Sequence, residues 1–183
     1  GIALGGGGAQ QLSGVGPGLG LIAINVFEAE GGSSSSNILA AMDHVLTLAK
    51  NNPNSIGAIN MSLGSRRNRA GVCSNKVFDL ASDLFKQAGI PVIVASGNDG
   101  KRNTAVPVGF PACIDGFVSV GAVNKAGSIA SFSNSGPTLD LLAPCVGIES
   151  CVVSGPGRSG SYKKLQGTLR SAPRVPGAFA TLQ

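Results

Sequence analysis

Between Ile56 and Asn98 the chain runs through IGAINMSLG, a short polar connection, NKVFDLASDLFKQAG and IPVIVASGN, and this succession restricts the fold more than any other part of the sequence. The two outer segments are short apolar runs bounded by turn residues, the pattern of strands buried on both faces. The middle segment lines up Val77, Leu80, Ala81, Leu84 and Ala88 on one predicted helical face. Strand, helix and strand of this kind make a right-handed crossover, so the two strands lie parallel in one sheet. The same alternation precedes it. LGLIAINVFE reads as a further buried strand, and ILAAMDHVLTLAKNNPN as a helix with Ile38, Met42, Val45 and Ala49 on one face. Serines before that helix supply a cap and NNPN a stop. The expected fold class is therefore α/β, with a mostly parallel central sheet flanked by helices.

Downstream, GFVSVGAVN, SIASFSNSG, LDLLAP and GIESCVV are short apolar or alternating runs separated by turn signals, with no room for another helix. No repeat at solenoid period and no domain-sized linker interrupts the 183 residues, so one domain over 1–183 is expected. Hydrophobic residues at 43% against 13% charged suit a chain that buries a core rather than a disordered one. No apolar run approaches the ~18 residues of a membrane span, and no leader pattern opens the chain. Gly1 in first place and a helix-forming GAFATLQ at the other end predict that both ends are cut from something longer.

The net charge of +5 draws on Arg66, Arg67 and Arg69, and on Arg158, Lys163, Lys164, Arg170 and Arg174. With one Tyr, no Trp and no nucleic-acid motif, these read as solvated loops, with an acidic partner as the alternative. The four cysteines, Cys73, Cys113, Cys145 and Cys151, lack metal-site spacing and read as disulfides, the alternative being buried free thiols in a reducing compartment. Their connectivity does not follow from spacing.

Ligands of parallel sheets sit at the carboxyl ends of strands. Two strands here end in small polar turns, MSLGS and VASGNDG, and Asn98 in the second presents an amide flanked by Gly97 and Gly100. By composition alone this is turn chemistry. The order and spacing of GIPVIVASGNDG, VPVGFPACIDGFVSVGAVN, ASFSNSGPTLDLLAPCVGIES and GT....P.V.GA change that reading, because together they resemble the subtilisin-like serine proteases over nearly the whole chain from GVGPGLGLIAINVF onward. The resemblance implies a three-layer subtilisin-like fold lacking its N-terminal strands.

That family cleaves peptide bonds with Asp, His and Ser in that chain order. Gly1-Ile2-Ala3 resembles the tail of the family's His motif, which places the His and the Asp upstream of residue 1. The sole histidine, His44, lies about 130° from the apolar face of its helix at ~100° per residue, a solvent-side position. Where the family writes G-T-S-x-A-x-P-H-V-A-G, this chain reads from Gly167 and Thr168 through Leu169, Arg170, Ser171, Ala172, Pro173, Arg174, Val175 and Pro176 to Gly177. Leu169 thus takes the nucleophile's position with nothing to attack a carbonyl. Ser171 is turned ~200° around the helix and cannot replace it. Pro176 is expected to kink, shorten or fray that helix.

The resemblance further implies that Ser62, Leu63 and Gly64 form an edge pairing with an extended peptide, that Ala95, Ser96 and Gly97 line a side-chain pocket, and that Asn98 is the oxyanion amide. It implies a disulfide between Cys73 and Cys113. A second between Cys145 and Cys151 stays open, opposed by geometry if both lie in one straight strand. The family's calcium loop reads LGGGGAQQLSG here, without a carboxylate, so no metal and no cofactor is expected. The functional expectation is an inactive protease-like domain that binds an extended peptide or protein or serves as a structural component of a larger assembly, with no nucleic acid and no membrane span. The alternatives are an active secreted endopeptidase of which this chain is an incomplete or misread part, and an inert fragment of a longer enzyme. Disulfides place it in a secreted or other oxidising compartment, the alternative being an intracellular structural assembly.

Overall fold

The computed structural model describes residues 2–5, 13–65, 71–101, 106–152 and 161–182, apart from the side chains of Cys151 and Ser161. Helix α1 (Ser35–Asn51) starts where the Ser34 side chain accepts the Asn37 N–H, and it buries Ile38, Met42 and Val45. Strand β1 (Ile59–Met61) leads to α2 (Lys76–Gln87), capped by Asn75, whose side chain accepts the N–H groups of Val77 and Phe78. Strands β2 (Val92–Ala95), β3 (Val118–Val123) and β4 (Leu141–Pro144) complete a four-stranded sheet in the order β1-β2-β3-β4, parallel throughout. An antiparallel ribbon of β5 (Ile148–Val152) and β6 (Ser161–Leu165) follows, then α3 (Thr168–Ser171) and α4 (Arg174–Thr181).

Strand β2 shows why the sheet is central. All four of its residues are buried, and successive side chains alternate between faces. Val92 and Val94 join the core under α1 and α2, with Met42, Phe78 and Phe85. Ile93 and Ala95 join the opposite core, with Val120, Ala143 and Ala172. Helices thus cover both faces of a parallel sheet, the three-layer α/β arrangement. Among the described residues no helix is long and apolar enough to cross a membrane.

Three expectations are corrected. On α2 the buried face is Phe78, Ala81, Ser82 and Phe85, whereas Val77, Leu80 and Leu84 are exposed. The helix carries two apolar stripes, and turning the phenylalanines inward removes more area from water than the aliphatic set would. Phe78 also meets Phe110 edge to face, centroids 4.9 Å apart. The run Leu19–Glu28 forms no strand: Leu21, Ile22, Ile24 and Phe27 are exposed and only Val26 packs against the core. A strand exists by pairing, and among the described residues β1 pairs with β2 alone. Likewise SIASFSNSG is a turn segment with one isolated bridge, Val123 to Ile129, while β6 had no distinct signal in the sequence.

The fault expected at Pro176 does not appear; the interruption lies between α3 and α4, at Pro173. Lacking an N–H, Pro173 cannot donate to the carbonyl of Leu169 and starts a new segment as the cap of α4. Pro176 then sits in the first turn of α4, where an N–H has no intrahelical acceptor anyway.

Candidate functional site

The carboxyl ends of β1 and β2 converge on the start of α3. Gly167 caps α3 at φ +133°, a backbone open in practice only to glycine, and so turns the chain from β6 into the helix. Thr168 follows, wholly buried. Its N–H and its hydroxyl both reach Asn98 Oδ1, at 2.8 and 3.1 Å, and its Oγ1 accepts the Gly97 N–H at 3.2 Å. A backbone N–H can only donate, so the atom facing it must be the amide oxygen, which fixes the orientation of Asn98. Asn98 Nδ2 is therefore directed away from Thr168. Asn98 itself is exposed, as is Leu169 at 43% of its surface.

The second wall is the segment after β1. Ser62 Oγ donates to the Leu169 carbonyl at 2.9 Å and lies 2.9 Å from Asn60 Nδ2, which donates to it. This is the carbonyl that Pro173 leaves without a helical donor, so one proline makes possible the bond tying the Ser62 segment to α3. Leu63 is half-buried and Gly64 exposed, and Ser65 N–H pairs with the Phe110 carbonyl at 2.8 Å. Behind this wall Cys73 and Cys113 form a disulfide, and Cys73 N–H also donates to the Cys113 carbonyl at 2.9 Å.

The remaining residues singled out from the sequence fall as follows. Ala95 and Ser96 are buried, and Ser96 Oγ donates to the Asn134 carbonyl at 3.1 Å, so neither side chain faces open space. Gly97 lies at φ +112°, and a Cβ there would stand 2.3 Å from Asn134 Nδ2. Ser171 is wholly buried on the inner side of α3, opposite in exposure to Leu169, and its Oγ has no hydrogen-bond partner among the described residues. His44 lies on the exposed side of α1. Cys145 is a free buried thiol donating to the Gly167 carbonyl, which corrects the second disulfide left open above. It follows β4 of the main sheet, whereas Cys151 belongs to the separate β5–β6 ribbon. Arg66, Arg67, Arg69, Arg158 and most of the glycine-rich loop at 4–14 lie outside the described residues. Among those described, no cluster of three or more His, Cys, Asp or Glu is placed to hold a metal ion.

Two residues that position the site were not singled out from the sequence. Thr168 was legible only as part of a motif. Asn134, fully buried, accepts the Asp99 N–H on Oδ1 at 2.7 Å and donates its own N–H to the Gly97 carbonyl at 3.0 Å. It thereby braces both sides of Asn98 from a segment that reads as a strand.

The chain matches the family described as the subtilase family over residues 1–183. It is 34% identical over 169 residues to a subtilisin of Bacillus pumilus, covering 92% of this chain and 55% of that protein. Against subtilisin-like protease 3 of Pseudogymnoascus destructans it is 34% identical over 161 residues, covering 87% of this chain and 37% of that one. The crystal structure of a cold adapted subtilisin-like serine proteinase matches at TM-score 0.70 and 27% identity, covering 92% of this chain and 55% of that one. The chain thus spans about half the length of the curated relatives it matches, or less.

Proposed function

Since the chain belongs to the subtilase family, we propose that its cleft binds an extended peptide or protein segment without cleaving it. The observation that carries this reading is Leu169. At the head of α3, beside Asn98, where family members carry the attacking serine, stands an exposed aliphatic side chain. Hydrolysis by this family's chemistry needs a nucleophile with a base in hydrogen-bond reach. Ser171 is sealed in the core and His44 lies on the outer side of α1, so neither meets that need.

Binding needs less. The Ser62–Gly64 segment offers backbone groups to an extended ligand, as open strand edges do, and Asn98 Nδ2 offers a fixed donor for a ligand carbonyl. The pinning of Asn98 by Thr168 supports this, because the amide is preorganised without any catalytic group. The Cys73–Cys113 disulfide favours an oxidising compartment.

The test is to treat the native full-length protein with a fluorophosphonate probe and map the peptides around α3 by mass. The expected result is no adduct, with a peptide containing Leu169 recovered intact. A serine adduct in that segment would overturn the proposal and point to an active secreted endopeptidase instead.

A further inference from the structure

Carboxylates outnumber cations around α1 and α2, where Lys50, Lys76 and Lys86 also lie. Of the nine carboxylates in the chain, Glu28, Glu30 and Asp43 lie within or just before α1, and Asp79, Asp83 and Asp115 lie in α2 or against its Lys86. Cations gather instead where α3 begins. Lys163 and Lys164 stand on β6, exposed. Lys164 is three residues before Gly167, about 10 Å of extended chain. Arg170 follows Leu169 directly, and exposed Lys101 comes three residues after Asn98. The ion pairs among the described residues join Lys86 to Asp83 and Asp115, and none engages these four cations. Two carboxylates oppose them locally: Glu149, in register with Lys164 across the ribbon, and Asp99, which also takes part in the Asn134 network. The balance around the cleft remains positive.

We infer that the cleft selects acidic peptides, with glutamate or aspartate near the residue seated beside Asn98. This rests on the peptide-binding reading above and adds the ligand's chemistry to it. The cations lie on three different segments, β6, α3 and the turn after β2, and each stands within four residues of Gly167, Leu169 or Asn98 in the chain. Charges on a ligand lying across Leu169 and Asn98 interact with nearby cations over roughly the ~10 Å screening length of salt, so they are felt at low salt and less so at high salt.

The experiment uses the full chain and fluorescein-labelled octapeptides sharing a phenylalanine, followed by three glutamates, three glutamines or three lysines, read by anisotropy. Two or three exposed charge pairs together give about tenfold tighter binding of the glutamate peptide than the glutamine peptide at ~0.05 M salt, closing towards parity at ~0.5 M. The lysine peptide is expected to bind weakest. Lys101→Gln, Lys163→Gln, Lys164→Gln and Arg170→Gln together are expected to remove the preference and leave the glutamine peptide's affinity within about twofold. Equal binding of the glutamate and glutamine peptides by the unmodified chain at low salt overturns the charge selection while the peptide-binding reading stands. A preference that persists in the fourfold variant refutes the assignment to these residues. Failure of every peptide to bind overturns both.

Discussion

Removing the disulfide, by Cys73→Ala with Cys113→Ala, is expected to loosen the wall of the cleft at its root. Both cysteines are buried, and the bond closes a loop with a sequence separation of 40 residues. For a loop of that length the chain-entropy relation gives about 4 kcal/mol at 25 °C, through the added freedom of the unfolded chain. Against a typical total of ~5–15 kcal/mol, this is a large fraction. At about 2–4 °C per kcal/mol for a chain of this size, the midpoint should fall by roughly 8–16 °C. The contacts that persist, Cys73 N–H to the Cys113 carbonyl and the Phe78–Phe110 pair, should keep the native arrangement, so the variant should still fold at low temperature. Urea titration of both proteins measures the difference, with the slope checked for constancy because a changed slope signals a changed denatured state. A loss below about 1 kcal/mol at unchanged slope would refute the reasoning, since the crosslink would then not be restricting the unfolded chain.

Ser62→Ala removes the donor to the carbonyl that Pro173 leaves open, and should cost about 0.5–1.5 kcal/mol in urea titration while weakening peptide binding several-fold. Thr168→Val keeps the shape but withdraws the hydroxyl from Gly97 and Asn98; the expected loss is about 1–3 kcal/mol, measurable in the same titration. Ser171→Ala deletes a buried hydroxyl without a described partner, so stability should stay level or rise by up to ~1 kcal/mol, and a clear loss would mean the hydroxyl is satisfied. On α2, Phe85→Ala should cost about 3–5 kcal/mol and Leu84→Gln less than ~0.5, adjacent residues separated by which stripe faces the core.

The parallel sheet was legible because β2 needs apolar residues on both faces, and few other folds ask for IPVIVA. Its helical partner was legible as a helix but not in orientation: periodicity places Val77, Leu80 and Leu84 on one face and Phe78, Ala81 and Phe85 on another, and only the volume of the phenylalanines decides between them. The run at 19–28 has the composition of a buried strand, yet composition cannot supply a neighbour to pair with. At the site, motif register placed Gly167, Thr168 and Leu169 at the head of a helix beside Asn98. Asn134 escaped because its role depends on a side chain reaching between segments 35 residues apart, which leaves no local pattern.

The hydrogen bonds that orient Asn98 are also those that let α3 start where it does. Thr168 is buried, so its N–H and hydroxyl need partners whether or not a peptide is ever cleaved, and Asn98 Oδ1 supplies one acceptor for both. Asn134 likewise satisfies the Asp99 N–H and the Gly97 carbonyl at the end of β2. Breaking the bonds of Thr168 leaves a buried polar group unpaired, at about 1–3 kcal/mol. Leu169, on the outer side of the same turn, carries no such obligation, since an exposed side chain there can change with little effect on stability. The geometry around Asn98 is therefore fixed by the requirements of folding, independently of the side chain at position 169. A well-ordered Asn98 amide is evidence of an intact cleft wall, and on the reading proposed above the residue at 169 separately decides whether that cleft can cut.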